Sequence, residues 1–421
     1  MKIMINKLKK SKLLKNSIWL TILQIVNTVI PVLTIPYITR VLGAKEYGVF
    51  WIALNWIFYL LVLVEFGFGL SGAWKVALID DKNSIELNRL YNNIISSRIV
   101  LSIISFIILN IISLFTRVSL TTYLCMLILF IMIVGTTFQL TWLFQGKQDM
   151  KFITIINVIS RLFSVILIFI FVKSEKDIYL YCLLYSITLF LSSIISIKVA
   201  RKKYNLRYKM AIFNDIKQEI NDAKYLFASA AMTKIFSGFG TTVLGLFASN
   251  SITGIFSAIY KIPYVLTMFF MPISQALYPY NSAKFKNSYS DGVNSVKKIC
   301  IPVFVVFSLL SILIILFKDV IVALLFGDEY SKYSIIVLPL VVQFLFAIIN
   351  NFLGIQILVA SGNTKKYSKA FTIGCVVIII LNLLLGKLYG IYGVSIAAAI
   401  GEMILTLSLY YNYKKTEEIK W

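Results

Sequence analysis

Six ionisable side chains stand inside runs of apolar sequence: Glu65, Arg98, Arg161, Lys234, Lys261 and Glu402. At the centre of a bilayer each would cost on the order of 2.5 to 3.5 kcal/mol by insertion scales, so such groups face protein or water and mark binding sites or ion pathways. Histidine is absent from the 421 residues, which removes the usual general base, proton shuttle and commonest metal ligand. The chemistry left is charge compensation by lysine and arginine, ion binding by carboxylates, and hydrogen bonding by amides and hydroxyls. No metal and no cofactor is read from the sequence. The four cysteines, Cys125, Cys182, Cys300 and Cys375, fall in apolar runs without CxxC spacing and are read as small packing residues.

Lys234 begins a polar face, since Ser237, Gly238, Thr241 and Gly245 recur at helical spacing after it. That face either lines an interior or is a small-residue packing seam. Arg161 lies about 15 Å beyond Lys151 by helical rise, with Asn157, Ser160 and Ser164 on its own side. Gln24, Asn27, Thr28 and Pro31 form a similar polar stripe near the N-terminus. Arg98 sits near the end of its run, where snorkelling to headgroups competes with a place in the interior, and snorkelling is the favoured reading. Lys261 is balanced between the same two. Glu65 and Glu402 are read as structural counter-ions, as coupling-ion sites, or as neither.

The elements that carry these groups follow from composition. Hydrophobic residues make up 59% of the chain, too many for a soluble globule to cover. Apolar runs of about 20 residues predict twelve spans, near 17–39, 47–70, 93–115, 121–144, 152–172, 178–198, 225–248, 254–280, 298–317, 333–360, 368–386 and 390–412. The basic start and the run from Ser17 to Thr39 are read as a retained first helix, not a cleaved signal. The third and fourth spans are divided at Thr116 and Arg117. Lys and Arg number 41 against 18 for Asp and Glu, a net +23. These basic residues favour alternate sides by more than threefold, which places both termini in the cytoplasm and explains the charge as topology, not nucleic-acid binding. The cluster Lys198, Arg201, Lys202, Lys203, Arg207 and Lys209 would meet anionic lipid. Asp80-Asp81, followed by Lys82, is read as solvated surface and not as a metal site, and no GxxxxGK[ST] nucleotide loop occurs.

Two echoes suggest an internal repeat. Tyr47-Gly48-Val49-Phe50 follows the first span as Thr253-Gly254-Ile255-Phe256 follows the seventh; Gln145-Gly146-Lys147-Gln148 follows the fourth as Ser361-Gly362-Asn363-Thr364 follows the tenth. The expected organisation is an N-terminal six-helix lobe at 1–198, a cytoplasmic linker at 199–224 and a C-terminal six-helix lobe at 225–421, related by an axis along the membrane normal.

The run Thr34-Ile35-Pro36-Tyr37-Ile38-Thr39-Arg40-Val41-Leu42-Gly43, closed by Glu46-Tyr47-Gly48, resembles the first-loop signature of the polysaccharide-transporter branch of the MOP flippase superfamily, the Wzx-type O-antigen and capsule repeat-unit flippases. Trp142-Leu143-Phe144-Gln145-Gly146 and Leu325-Phe326-Gly327-Asp328-Glu329-Tyr330 are further matches, and the resemblance spans essentially the whole chain. It implies an all-α integral membrane protein of about twelve transmembrane helices, in two MATE-like six-helix lobes around a central cavity. It implies a transporter and not an enzyme: a flippase that moves an undecaprenyl-pyrophosphate-linked oligosaccharide to the outer leaflet of the bacterial cytoplasmic membrane by alternating access. Lys234, Arg161, Lys261 and Arg98 would compensate the pyrophosphate, while Asn27, Asn157 and Thr241 suit sugar hydroxyls. Membrane lipids are expected partners, as are polymerase and chain-length proteins of the same pathway. The alternatives are a cation-coupled exporter of small amphiphiles that depends on Glu65 or Glu402, and a membrane enzyme of polysaccharide assembly. The enzyme reading is the weaker, for want of a histidine and of a large outward loop.

Overall fold

A backbone buried in hydrocarbon must satisfy its own hydrogen bonds, and a chain this apolar does so as helices. The computed structural model describes residues 2–80, 83–116 and 118–420, and all regular structure among them is helical. Asp81, Lys82 and Arg117 lie outside the described residues. Among the described residues ten helices are long and apolar enough to cross a membrane: Lys15–Leu78, Ser84–Thr116, Leu120–Gly146, Met150–Phe171, Glu175–Tyr204, Phe213–Phe247, Asn250–Lys286, Tyr289–Leu316, Ser334–Val359 and Thr364–Glu417. The first and last run to 64 and 54 residues, more than twice what one crossing needs. Each is interrupted by a glycine in a conformation that L-residues avoid, Gly43 at φ 69° and Gly390 at φ 54°. Ten helices, two of them double, are therefore compatible with the twelve expected spans.

The chain divides into two compact units. One comprises Met1–Thr34 with Ile52–Lys234, and the other Ile35–Trp51 with Ile235–Trp421. The divisions fall inside continuous helices, because Thr34 to Ile52 lies within Lys2–Glu65 and Lys234 within Phe213–Phe247.

In the first unit the Ile131–Phe138 and Met150–Phe171 helices pack on Ile178–Tyr204. Gly135 permits the first of these contacts, since a Cβ there would stand 2.6 Å from the Leu189 carbonyl carbon. The residues expected as a linker, 199–224, are helical at both ends and non-helical at 205–212, where the chain leaves the Ile178–Tyr204 helix through the left-handed Asn205. Their backbone N–H groups need partners outside a helix. Arg207, Lys209 and Ala211 donate to Asn88, Asn92 and Ser96 at 2.9, 3.0 and 2.9 Å. Two extended residues rise about 6.6 Å and four helical ones about 6 Å, so the two periods match and the segment lies along the Ser84–Thr116 helix. Beyond it Lys75 reaches Glu219 and Asp222, both at 2.7 Å, and Arg89 reaches Asp215 at 3.2 Å.

Hydrophobicity cannot drive helices together in lipid, so association rests on close packing and hydrogen bonds. The second unit shows both. Phe270, Phe307, Phe344 and Phe352 meet edge to face, with centroids 5.7 to 5.8 Å apart. Gly48 and Gly254, the glycines of the first sequence echo, lie against each other. A Cβ on Gly48 would overlap the Asn250 carbonyl, and one on Gly254 would stand 2.7 Å from the Gly48 nitrogen. Two of the family-signature segments also meet here. The Arg40 guanidinium donates to the Leu324 carbonyl, and the Tyr330 hydroxyl donates to the Thr39 carbonyl at 3.4 Å.

The second echo is shifted in the structure. Asp149 N–H bonds the Phe144 carbonyl at 2.8 Å and Asn363 N–H bonds the Leu358 carbonyl at 2.7 Å, each the longer bond of a Schellman turn. The left-handed residues of the two turns are Gln148 and Gly362, at φ 56° and 85°. Gln148, not Gly146, is thus the backbone counterpart of Gly362. Gly146 is kept small for another reason, because a Cβ there would stand 2.6 Å from the Val76 side chain.

Candidate functional site

The first unit joins several of the expected residues. Arg161 donates from Nη1 to Asn27 Oδ1 at 2.7 Å, linking the Met150–Phe171 helix to the first helix. Thr154 supports the same pair of helices by donating to the Trp19 carbonyl at 2.8 Å. One turn before Arg161, Asn157 accepts from Gln139 Nε2 at 3.4 Å, and the same amide donates to Ser192 at 3.0 Å. Lys234 is half-buried, with its ammonium 4.2 Å from the centroid of the Phe58 ring, a favourable cation–π position.

Arg98 corrects the sequence reading. It does not snorkel: it is only 3% exposed, and Nη1 donates to the carbonyls of Thr136 and Gln139 at 3.1 and 2.8 Å. The span expected to run unbroken through 121–144 is interrupted at Gln139, where the Ile131–Phe138 helix ends and Thr141–Gly146 has not begun. The freed carbonyls carry the negative end of the helix, and the guanidinium caps them. Glu65 lies within electrostatic reach of Arg98, and is itself exposed beside the left-handed residues Phe66 and Gly67. Replacing Arg98 by Met keeps the bulk but removes the donor to the Gln139 carbonyl and leaves the Thr136 carbonyl only its bond from the Gln139 N–H. The variant is expected to lose about 1 to 3 kcal/mol of stability, read as a lower thermal midpoint of the purified protein; a midpoint equal to wild type would remove the capping role.

In the second unit Lys261 stands 3.8 Å from the Trp51 ring centroid and 5.2 Å from that of Tyr264. Thr241 is half-buried on the Phe213–Phe247 helix, beyond the exposed Ser237, while Val243 is fully buried. Glu402 is 7% exposed and accepts from Asn350 Nδ2 at 2.6 Å. The structure therefore groups Asn27 with Arg161, links Asn157 through Gln139 to Arg98, and places Lys261 and Glu402 in the other unit. Gln139 and Ser192 were missed by the sequence reading. The only signal for Gln139 was an amide in an otherwise apolar run.

Residues 13–285 match the family model described as polysaccharide biosynthesis protein, so this chain belongs to that family. It is 26% identical over 399 residues to a protein of Escherichia coli (strain K12) that bears the name "Putative O-antigen transporter", covering 94% of this chain and 95% of that one. Among solved structures it resembles the lipid II flippase MurJ in an inward closed conformation, at 20% identity and TM-score 0.69 over 95% of this chain and 87% of that one. It also resembles an inward-facing multidrug resistance MATE family transporter of the MOP superfamily, at 13% identity and TM-score 0.68 over 93% and 99%. The chain thus shares the multi-pass helical fold of these two solved structures.

Proposed function

We propose that the protein is a flippase that carries an undecaprenyl-pyrophosphate-linked oligosaccharide repeat unit from the inner to the outer leaflet of the bacterial cytoplasmic membrane by alternating access. The observation that carries this reading beyond family membership is Arg161. Its guanidinium lies about 15 Å along a membrane helix by helical rise and is held by the neutral amide of Asn27, with no carboxylate within ion-pair distance among the described residues. A cation so placed is available to an anion, and phosphate oxygens match its planar fork. Lys234, in the same unit and set against the Phe58 ring, would supply further charge for a charged, sugar-bearing headgroup. In this reading no bond is made or broken.

Deleting the gene in its own organism should trap lipid-linked oligosaccharide in the inner leaflet. In spheroplasts of the mutant that lipid should resist a membrane-impermeant periodate that oxidises it in the wild type, and normal accessibility would end the proposal. The proposed orientation has its own test. Reporters fused after Lys209 and Lys415 should be cytoplasmic and one near Asp328 external; an external signal at Lys209 would reverse the topology.

A further inference from the structure

Glu402 is the buried ionisable group to which the flippase reading assigns no work. By helical rise it lies about 18 Å from the break at Gly390 and about 18 Å from Lys414, so it sits midway along its span. The elements packed against that helix include Asn250–Ile259, Ser334–Ile336, Val337–Asn350 and Asn351–Val359, and none of these carries a charged residue. Tyr260, Tyr367 and Cys375, all neutral in ordinary conditions, lie within electrostatic reach of the carboxyl. The other arm of the same helix, packed back at Gly374 on Leu405 and at Ile378 on Gly401, carries Lys365, Lys366, Lys369 and Lys387 toward its two ends. Among the described residues Glu402 has no lysine or arginine at ion-pair distance. A carboxylate in so apolar a place is far costlier ionised than protonated.

The surrounding bonds suit a proton better than a metal ion. Asn350 turns its amide nitrogen toward Glu402, donating to the carboxylate at 2.6 Å and to the Glu402 carbonyl at 3.0 Å. Its amide oxygen is taken by the Thr406 hydroxyl at 2.6 Å. A sodium ion would need several oxygens converging on one point, whereas here the nearest amide presents a donor. Asn350 is also the last residue before a π-helical stretch, Asn351–Val359, which is rare and winds one residue more into each turn than an α-helix. That stretch is held by a polar chain: Ser274 donates to Asn351 at 2.7 Å, Gln356 to the Ser274 carbonyl at 2.9 Å, and Asn281 to Gln356 at 2.9 Å. Rewinding it would rotate Asn350 away from Glu402 and open the carboxyl to water.

We infer that Glu402 is a proton-binding site of the transport cycle. One proton taken from the outer side neutralises the carboxyl against Asn350, and its release to the cytoplasmic side, with re-formation of the carboxylate, accompanies outward movement of the substrate. The inference rests on the flippase reading for its place in the cycle, but the proton site itself can be examined without substrate. In the purified full-length protein, infrared difference spectra between about pH 5 and about pH 9 should show a protonated-carboxyl band from a buried acid. The band should vanish in Glu402→Gln, persist in Glu65→Gln, and be indifferent to replacing sodium by choline. In cells Glu402→Gln should lower surface polysaccharide about tenfold or more at wild-type protein levels, and a protonophore should lower it in the wild type. Absence of the band, its dependence on sodium, or, where deletion of the gene does abolish surface polysaccharide, full surface polysaccharide with Glu402→Gln would each overturn the inference. If the gene deletion leaves surface polysaccharide intact while the band behaves as stated, the flippase reading falls and the proton site stands.

Discussion

Arg161→Ala and Lys234→Ala are each expected to cut surface polysaccharide by about ten- to a hundredfold, while the protein still reaches the membrane in normal amount. A charged hydrogen bond contributes roughly 1.5 to 3 kcal/mol, and at about 1.4 kcal/mol per tenfold that range spans the expected loss. Folding should tolerate both changes. Arg161 loses one bond to the Asn27 amide, which is half-buried and can turn to another partner, and Lys234 gives up a contact with the Phe58 ring. Arg161→Lys should recover part of the function, because charge survives although the paired donors do not. The comparison to make is surface polysaccharide per unit of membrane protein across the three variants. Normal polysaccharide in both alanine variants would remove the cationic account of substrate binding and favour recognition through the sugars alone.

Gly48→Ala and Gly254→Ala are expected to be among the most damaging single methyl groups that could be added to this chain, abolishing accumulation of folded protein. At Gly48 the new Cβ would overlap the Asn250 carbonyl, and at Gly254 the Ala44 carbonyl. Both obstacles are backbone and cannot rotate aside. Overpacking of side chains costs about 1 to 3 kcal/mol; parting two helices at a backbone crossing should exceed that. Gly374 provides the contrast, since its nearest neighbour is the Leu405 side chain at 3.2 Å, which can yield. Membrane levels and thermal midpoints of Gly48→Ala, Gly254→Ala and Gly374→Ala should therefore separate into two losses and one near-normal protein. If all three behave alike, the close crossing is not a determinant of the fold.

The sequence by itself determined the class of structure and where its helices run. A chain this rich in apolar runs can only close its backbone bonds as helices, and the expected spans are helical over most of their length, because length and hydropathy are local properties; 47–70 and 121–144 are nevertheless broken, at Phe66 and Gly67 and at Gln139. It also disclosed the glycines of the first echo, though not that they touch. Tertiary structure decided the partners. Arg98 looked like a residue near a membrane boundary, and what placed it inside was a helix break at Gln139, on a different segment, whose carbonyls needed a donor. Glu65 and Glu402 looked alike in the sequence, each a lone carboxylate in an apolar run. Glu65 is exposed near Arg98, whereas Glu402 is enclosed by neutral groups beside a π-helix, and that environment decides whether a carboxyl balances charge or holds a proton. The division of the chain into units was equally hidden. Residues Ile35–Trp51 belong with the second half because Gly48 meets Gly254 and Arg40 meets Leu324, contacts between positions some two hundred or more residues apart that no local pattern encodes. Hydropathy specifies that a segment enters lipid; in lipid, which segments then associate is decided by shape and hydrogen bonding at the contact.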